Sequence, residues 1–353
     1  MNSTRRHFTT ISMALLLVTT SCEKLILPSD MPGNATQTFE YLWQQVDEEY
    51  AFFDIKGVDW DSVYETYKPR ITDGMDDDSL FRYLGSMLNE LHDGHVNLIS
   101  DFDISSDERT FLQRYGRINI DPTIIALNYL GADHHTTGGF AHNAIHHDSV
   151  IYIRYSSFSN SGATALLQKV LSSYPKAVGA IIDIRQNSGG SVANIFNILR
   201  ILPCNNQLLY TTQIKSGKGH DDFGTPTPVY APDNESYAIY PHPVVVITDR
   251  GCYSAASFFT LCCRSYPNVT IIGDTTGGGL GLPNGGGLPN GWKYRISVTR
   301  TLSPDGLNYE NGVPPHEVVL LDQQSTQAGI DNVVEHACQL IVDQHHGKIH
   351  TLK

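Results

Sequence analysis

Three side chains in this sequence are of the types and settings that could share one reaction: Ser254, His95 and Glu310. Ser254 stands in Arg250-Gly251-Cys252-Tyr253-Ser254-Ala255, where a buried apolar strand ends and a helix begins. The N–H of Ala255 then falls in the first helical turn, unpaired within the helix, and the helix dipole favours negative charge beside it. A second strand–turn–helix corner, Gln186-Asn187-Ser188-Gly189-Gly190, carries a glycine pair whose backbone can approach a substrate closely. An N–H from Gly189 or Gly190 together with that of Ala255 would form an oxyanion hole, about 3–4 kcal/mol per donor in good cases. The plainer reading of Ser254 is an ordinary helix N-cap.

A serine needs a base at neutral pH. His95 lies in Leu91-His92-Asp93-Gly94-His95-Val96, where Asp93-Gly94 marks a turn directly after a helix. An imidazole near pKa 6.5 suits general-base work, although the chain has 15 histidines and one beside a turn is ordinarily surface. His92 and His95 could be two ligands of a metal, but no third is in evidence, so no metal site is expected. Glu310, in Tyr309-Glu310-Asn311-Gly312-Val313-Pro314-Pro315, is a carboxylate that could orient an imidazole, or else a solvated loop glutamate.

The elements that must position these groups are legible from periodicity. Phe39, Leu42, Trp43, Val46 and Tyr50 recur at helical spacing from Thr38. Asp59 can cap a second helix bearing Trp60, Val63, Tyr64 and Tyr67, stopped by Pro69. Asp78 can cap a third, with Leu80, Phe81, Leu84, Met87, Leu88 and Leu91 on one face. From Ser149 strands and helices alternate: strands at 150–155, 177–184, 244–248 and 269–272, with helices at 163–171, after Gly190, and from Ser254 to about Ser265. This rhythm predicts an α/β core with a mostly parallel sheet, and no internal repeat beyond it. Parallel strands put both corners on one sheet edge, where α/β sites sit. The expected division is 1–21 signal peptide, 22–36 tether, 37–100 helical domain, 101–148 irregular connection and 149–353 α/β core.

The N-terminus reads as an export signal: Arg5 and Arg6, the apolar run Ile11 to Val18, then Thr19-Thr20-Ser21-Cys22. Small residues ending at a cysteine resemble a bacterial lipoprotein signal, which makes Cys22 the lipidated first residue of an exported protein held in the cell envelope, periplasmic or at the outer membrane. The net charge of −13 disfavours nucleic acid as a partner. Five further cysteines show no disulfide framework or CxxC zinc pattern, and Cys262 and Cys263 fall in an apolar helical run expected in the core. Among them one disulfide is compatible with an oxidising compartment.

Taken together, these segments resemble the tail-specific (C-terminal processing) and tricorn-core serine peptidases over about residues 36–322. The resemblance rests on Leu91 to His95, Asp183 to Gly190, Arg250 to Ala255, Gly273 to Gly279, Leu288 to Trp292 and Glu310 to Pro315. It implies a crotonase/ClpP-like β-α core preceded by a small N-terminal helical domain. A lysine-dyad branch would place lysine about 25 residues after the nucleophile; that position is Gly279, so the tricorn-like Ser-His branch is the one matched. The implied reaction is hydrolysis of peptides through an acyl-enzyme on Ser254, with His95 as base, Glu310 orienting it, and no cofactor. Gly94 stands where tricorn has a hydroxyl residue before the histidine. The roughly 55 residues between His95 and Val150 are too few for a PDZ domain. Asp183 and Arg185 are expected to brace the first corner, Thr276 to Gly279 to shape the cleft, and the histidine-rich stretch 133–147 to cover it. The competing reading is a catalytically silent ligand-binding protein on the same fold; a lipase is disfavoured, since Gly251 to Ala255 is not a GxSxG elbow.

Overall fold

The computed structural model describes residues 33–107, 118–159, 164–204, 206–234 and 236–351. The signal peptide and Cys22 lie outside the described residues. The first helix, α1 (Ala35–Glu49), starts earlier than apolar periodicity alone suggests, because Asn34 and Gln37 form a reciprocal capping box. Helix α2 (Trp60–Tyr67) is capped by Asp59 as expected. Helix α3 (Asp77–Asn89) is capped by Asp76 rather than Asp78: the Asp76 carboxylate accepts the Ser79 N–H at 2.8 Å, which leaves Asp77 and Asp78 in the first turn, where the helix dipole favours them.

These helices form the N-terminal helical region, and their core is completed by residues from far along the chain. After α3 the chain enters β1 (Asn97–Ile99), which pairs antiparallel with a strand from the far end of the sequence. Phe39, Leu42, Val46, Leu84 and Leu88 pack in one cluster with Leu288, Trp292, Tyr294 and Ile296. The apolar stripe of three short helices must be covered by something, and residues 288–296 cover it. Each fully buried leucine there contributes about 1.5–3 kcal/mol.

The connection expected to be irregular is partly sheet. Strands β2 (His135–Thr137) and β3 (Phe140–Ile145) form a hairpin that extends the main sheet through β4 (Val150–Arg154). The histidines therefore build a sheet edge rather than a cover over the cleft. His142 is held between the Thr137 hydroxyl, at 3.0 Å, and the Tyr174 hydroxyl, at 2.7 Å.

From β4 onward the expected alternation appears: α4 (Thr164–Ser172), β5 (Gly179–Asp183), α5 (Val192–Leu199), then β6 (Leu208–Ile214) and β7 (Thr227–Tyr230), β8 (Val244–Thr248), α6 (Ala255–Cys263) and β9 (Val269–Gly273). Strands β10 (Pro283–Gly287), β11 (Lys293–Ser297), β12 (Thr299–Leu302) and β13 (Glu317–Val318) follow, with a closing helix α7 (Asn332–Thr351). Among the described residues the main sheet runs β13-β9-β8-β5-β4-β3-β2, parallel from β13 to β4. Its central strands are apolar on both faces, as a sheet covered on both sides requires. Ile151, Ile153, Ile182 and Val246 face α4, α5 and α6, where Cys262 and Cys263 are buried free thiols. Tyr152, Ile181, Val245 and Ile247 face Val334, Ala337 and Ile341 of α7.

Two smaller sheets, β1-β11-β10 and β12-β6-β7, complete the fold. Here a short repeat comes to light: Gly-Leu-Pro-Asn-Gly occurs at 281–285 and again at 287–291. The first copy enters β10, where Pro283 is tolerated at the start of an edge strand. The second copy makes the hairpin turn, closed by Gly291 N–H to the Leu288 carbonyl at 2.9 Å.

Candidate active site

Strands β5 and β8 are parallel neighbours, so both strand–turn–helix corners open on one edge of the sheet. The corners touch. A Cβ on Gly189 would lie 2.7 Å from the Tyr253 carbonyl oxygen and 2.9 Å from the Ala255 nitrogen. At φ +105° this position also demands glycine on conformational grounds. Asn187 ties the two corners together: its side chain accepts the Gly189 N–H at 2.9 Å and donates to the Tyr155 carbonyl, while its own carbonyl accepts the Tyr253 N–H at 3.0 Å. Below them Asp183 and Arg185 form a fully buried ion pair at 2.6 Å that reaches Asp331 at 2.9 Å. Burial opposes the Asp183 charge, but Arg185 and Arg154 outweigh it and hold the carboxyl at about 2. This pair braces the corner, as its sequence position suggests.

Ser254 occupies the N-cap position of α6 without capping it. Its side chain makes no capping hydrogen bond, and its backbone sits at φ +54°, ψ −121°. A non-glycine residue held there stores about 1–3 kcal/mol of strain. The Ser254 N–H donates to the Gly278 carbonyl at 2.9 Å, which anchors the residue in this geometry. Its hydroxyl instead lies 3.0 Å from Nε2 of His95. Among the described residues the N–H groups of Ala255 and Gly190 have no hydrogen-bond partner, whereas that of Gly189 is taken by Asn187. Of the two glycines proposed as donors, Gly190 therefore keeps a free N–H, and Gly189 supplies the close approach.

His95 is buried and stacks near the ring of Tyr253, with centroids 5.0 Å apart. Beneath it lies Asp93, only 2% exposed. Asp93 accepts hydrogen bonds from the His95 backbone N–H at 2.8 Å, the Ser297 hydroxyl at 2.8 Å, and the hydroxyls of Tyr50 and Tyr253 at 3.2 and 3.3 Å. Burial disfavours the Asp93 charge, yet Lys56, His95 and these donors hold its carboxyl below the usual range. Burial pushes the His95 ring below 6.5; Asp93 pulls it back up, while Arg295 and Lys56 push it down. Gly94 leaves room for the Tyr253 hydroxyl, which would lie 3.0 Å from a Cβ there.

Glu310 is buried, not solvated, but it makes no hydrogen bond to His95, whose Nδ1 has no partner among the described residues. Its Oε2 accepts the N–H groups of Leu280 and Gly281, at 2.7 and 3.0 Å, and its Oε1 faces Nζ of Lys56 at 3.7 Å. Burial and the Asp93 charge raise its pKa from 4.5 to about 8 against the pull of Lys56. Glu310 thus shapes the 280–281 segment, and the Gly281 carbonyl on that segment favours the protonated His95 ring. The ionised carboxylate nearest to this task is Asp93. Sequence reading treats Asp93 only as a turn former; its place between Leu91 and His95 is the signal that could have marked it. Lys56, whose side chain is 2% exposed, carries no local signal. Thr276 is fully buried, its hydroxyl accepting from the Val313 N–H and the Ser257 hydroxyl. His92 lies at the surface, 3.4 Å from Asp107.

Residues 149–319 match the model of Peptidase family S41, and residues 33–89 match the Tricorn protease C1 domain. A candidate peptidase of known structure from Parabacteroides merdae is 37% identical, superposes over 88% of this chain and 97% of its own, and gives a TM-score of 0.81. Carboxy-terminal processing protease CtpB of Bacillus subtilis is 25% identical over 169 residues, 47% of this chain and 33% of its own. The chloroplastic C-terminal processing peptidase of Tetradesmus obliquus is 27% identical over 185 residues, 52% of this chain and 37% of its own. The matches span about a third of the length of these curated relatives.

Proposed function

Since the chain belongs to peptidase family S41, with the mixed crotonase-like α/β fold of that family, we propose that it cleaves peptides or unfolded protein segments through an acyl-enzyme on Ser254. The observation that carries this reading is the 3.0 Å contact between His95 Nε2 and a serine hydroxyl that does not cap its own helix.

His95, neutral through burial, takes the Ser254 proton as Oγ attacks the scissile carbonyl. The oxyanion is met by the N–H of Ala255 at the start of α6 and that of Gly190 at the corner before α5. The imidazolium formed in this step is stabilised by ionised Asp93, through space and through the backbone it holds. His95 then passes the proton to the leaving amine, and water resolves the ester by the same route in reverse. Glu310 and Lys56 fix the 280–281 segment against the ring. Strain at Ser254 keeps the hydroxyl aimed at the cleft rather than at its own helix.

The sequence around Cys22 supports export and lipid anchoring in a bacterial cell envelope. A fatty-acid label incorporated by the wild type and absent from Cys22→Ala is the expected result; equal labelling of both would remove the anchor from the account. The peptidase reading is tested by incubating residues 23–353 with a denatured protein and identifying products by mass spectrometry. Fragments that appear with wild type and not with Ser254→Ala support it. An unchanged substrate, with the fold intact by circular dichroism, would sink it and favour a silent ligand-binding protein.

A further inference from the structure

The small sheet beside His95 has two unlike faces. On one, Leu98, Tyr294 and Ile296 are buried in the core of the N-terminal helices. On the other, Lys293 and Arg295 alternate outward and are exposed. Asn97, two residues after His95, pairs with Arg295, and Arg295 pairs on its other side with Gly285. Lys293 pairs likewise with Gly287. Beside both cations the neighbouring strand β10 therefore offers no side chain, only bare backbone, and β10 is the sheet's edge among the described residues. The Arg295 guanidinium has no ion pair or hydrogen bond among the described residues, in a chain of net charge −13.

We propose that Arg295 is a substrate-binding residue that holds a carboxylate of an extended peptide laid along the glycine-rich strand β10 toward Ser254. This rests on the peptidase reading and names the substrate class it would favour. Three features carry it. Arg295 is the register partner of Asn97, two residues after His95, and its charge disfavours the protonated ring, which places it beside the turn that carries the base. A glycine-floored edge strand accepts another backbone in extended form, with main-chain hydrogen bonds giving affinity and side-chain contacts giving selectivity. An unpaired arginine offers a planar fork that matches a carboxylate. That carboxylate could be the chain's own terminus or an acidic side chain; both present the same group to Arg295.

Binding to Ser254→Ala measures this without catalysis. The probes are four fluorescein-labelled hexapeptide pools: free C-terminus, amidated C-terminus, amidated with glutamate at the fourth position, and amidated with glutamine there. Fluorescence anisotropy is expected to show a carboxylate-bearing pool bound at least about tenfold tighter than its neutral counterpart. Arg295→Gln should erase that preference while leaving neutral pools unchanged, and Arg295→Lys should keep part of it. A preference for the free terminus identifies a tail-selecting subsite, and one for internal glutamate an acid-selecting subsite. Equal binding of charged and neutral pools, a preference that survives Arg295→Gln, or no binding of any pool overturns the proposal. If the carboxylate preference holds while wild type leaves every peptide uncut, the peptidase reading fails and this inference stands.

Discussion

Glu310→Gln should make the protein less sensitive to alkaline pH, and the size of the effect follows from the site. Glu310 is fully buried against Lys56 and within reach of the Asp93 charge, which raises its pKa from 4.5 to about 8. Between those values the folded protein holds a proton that the unfolded chain has released. Stability contributed by that proton is therefore present in full below about 4.5 and is lost as pH climbs to about 8. At about 1.4 kcal/mol per pH unit, the rise amounts to about 5 kcal/mol as an upper figure, since Lys56 and the coupling to Asp93 share the load. Glutamine keeps an acceptor for the Leu280 and Gly281 N–H groups and cannot ionise. The assay is urea unfolding of wild type and Glu310→Gln from pH 5 to 9. The difference in unfolding free energy should move in favour of the variant as pH rises, then level off above about 8. His95, whose pKa is depressed by burial, costs stability as pH falls below about 6.5, but it does so in both proteins and cancels. A difference that stays flat with pH would refute the buried, proton-holding Glu310.

Asp93→Asn should slow acylation and shift its acid limb to lower pH, because the ring loses the charge that raises its proton affinity; pH–rate profiles of both proteins check the direction. The same change disturbs four hydrogen bonds to a buried carboxylate and should cost about 2–4 kcal/mol in chemical denaturation. Gly189→Ala places a methyl 2.9 Å from the Ala255 nitrogen and should reduce turnover by about a hundredfold, with circular dichroism showing the fold retained. Ser254→Gly relieves the left-handed backbone at φ +54° and should raise the melting temperature by several degrees, corresponding to about 1 kcal/mol or more, while abolishing reaction.

Much of the architecture was legible because it rests on local patterns. The strands at 150–154, 179–183, 244–248 and 269–273 are short, apolar on both faces and bounded by turns, and the parallel order of β4, β5, β8 and β9 follows from their crossovers. Ser254 and His95 were legible because each sits where an element begins or ends. What the sequence hides is long-range. Gly-Leu-Pro-Asn-Gly is strand in one copy and turn in the other, decided by what pairs with it. The N-terminal helices are legible as a unit, but nothing local shows that Tyr294 and Ile296 close their core. Lys56 is 254 positions from Glu310, and only the fold brings its ammonium to that carboxylate. Glu310 was found by position, but its partners proved to be backbone N–H groups and Lys56 rather than His95.

The central claim is that His95 activates Ser254, and covalent labelling tests it most directly. Residues 23–353 treated with a fluorophosphonate at pH 7.5 should gain one adduct, mapped by peptide mass spectrometry to Ser254, and the adduct should be lost in Ser254→Ala and reduced by orders of magnitude in His95→Ala. A folded protein that gains no adduct, or one that labels equally well without His95, would contradict it.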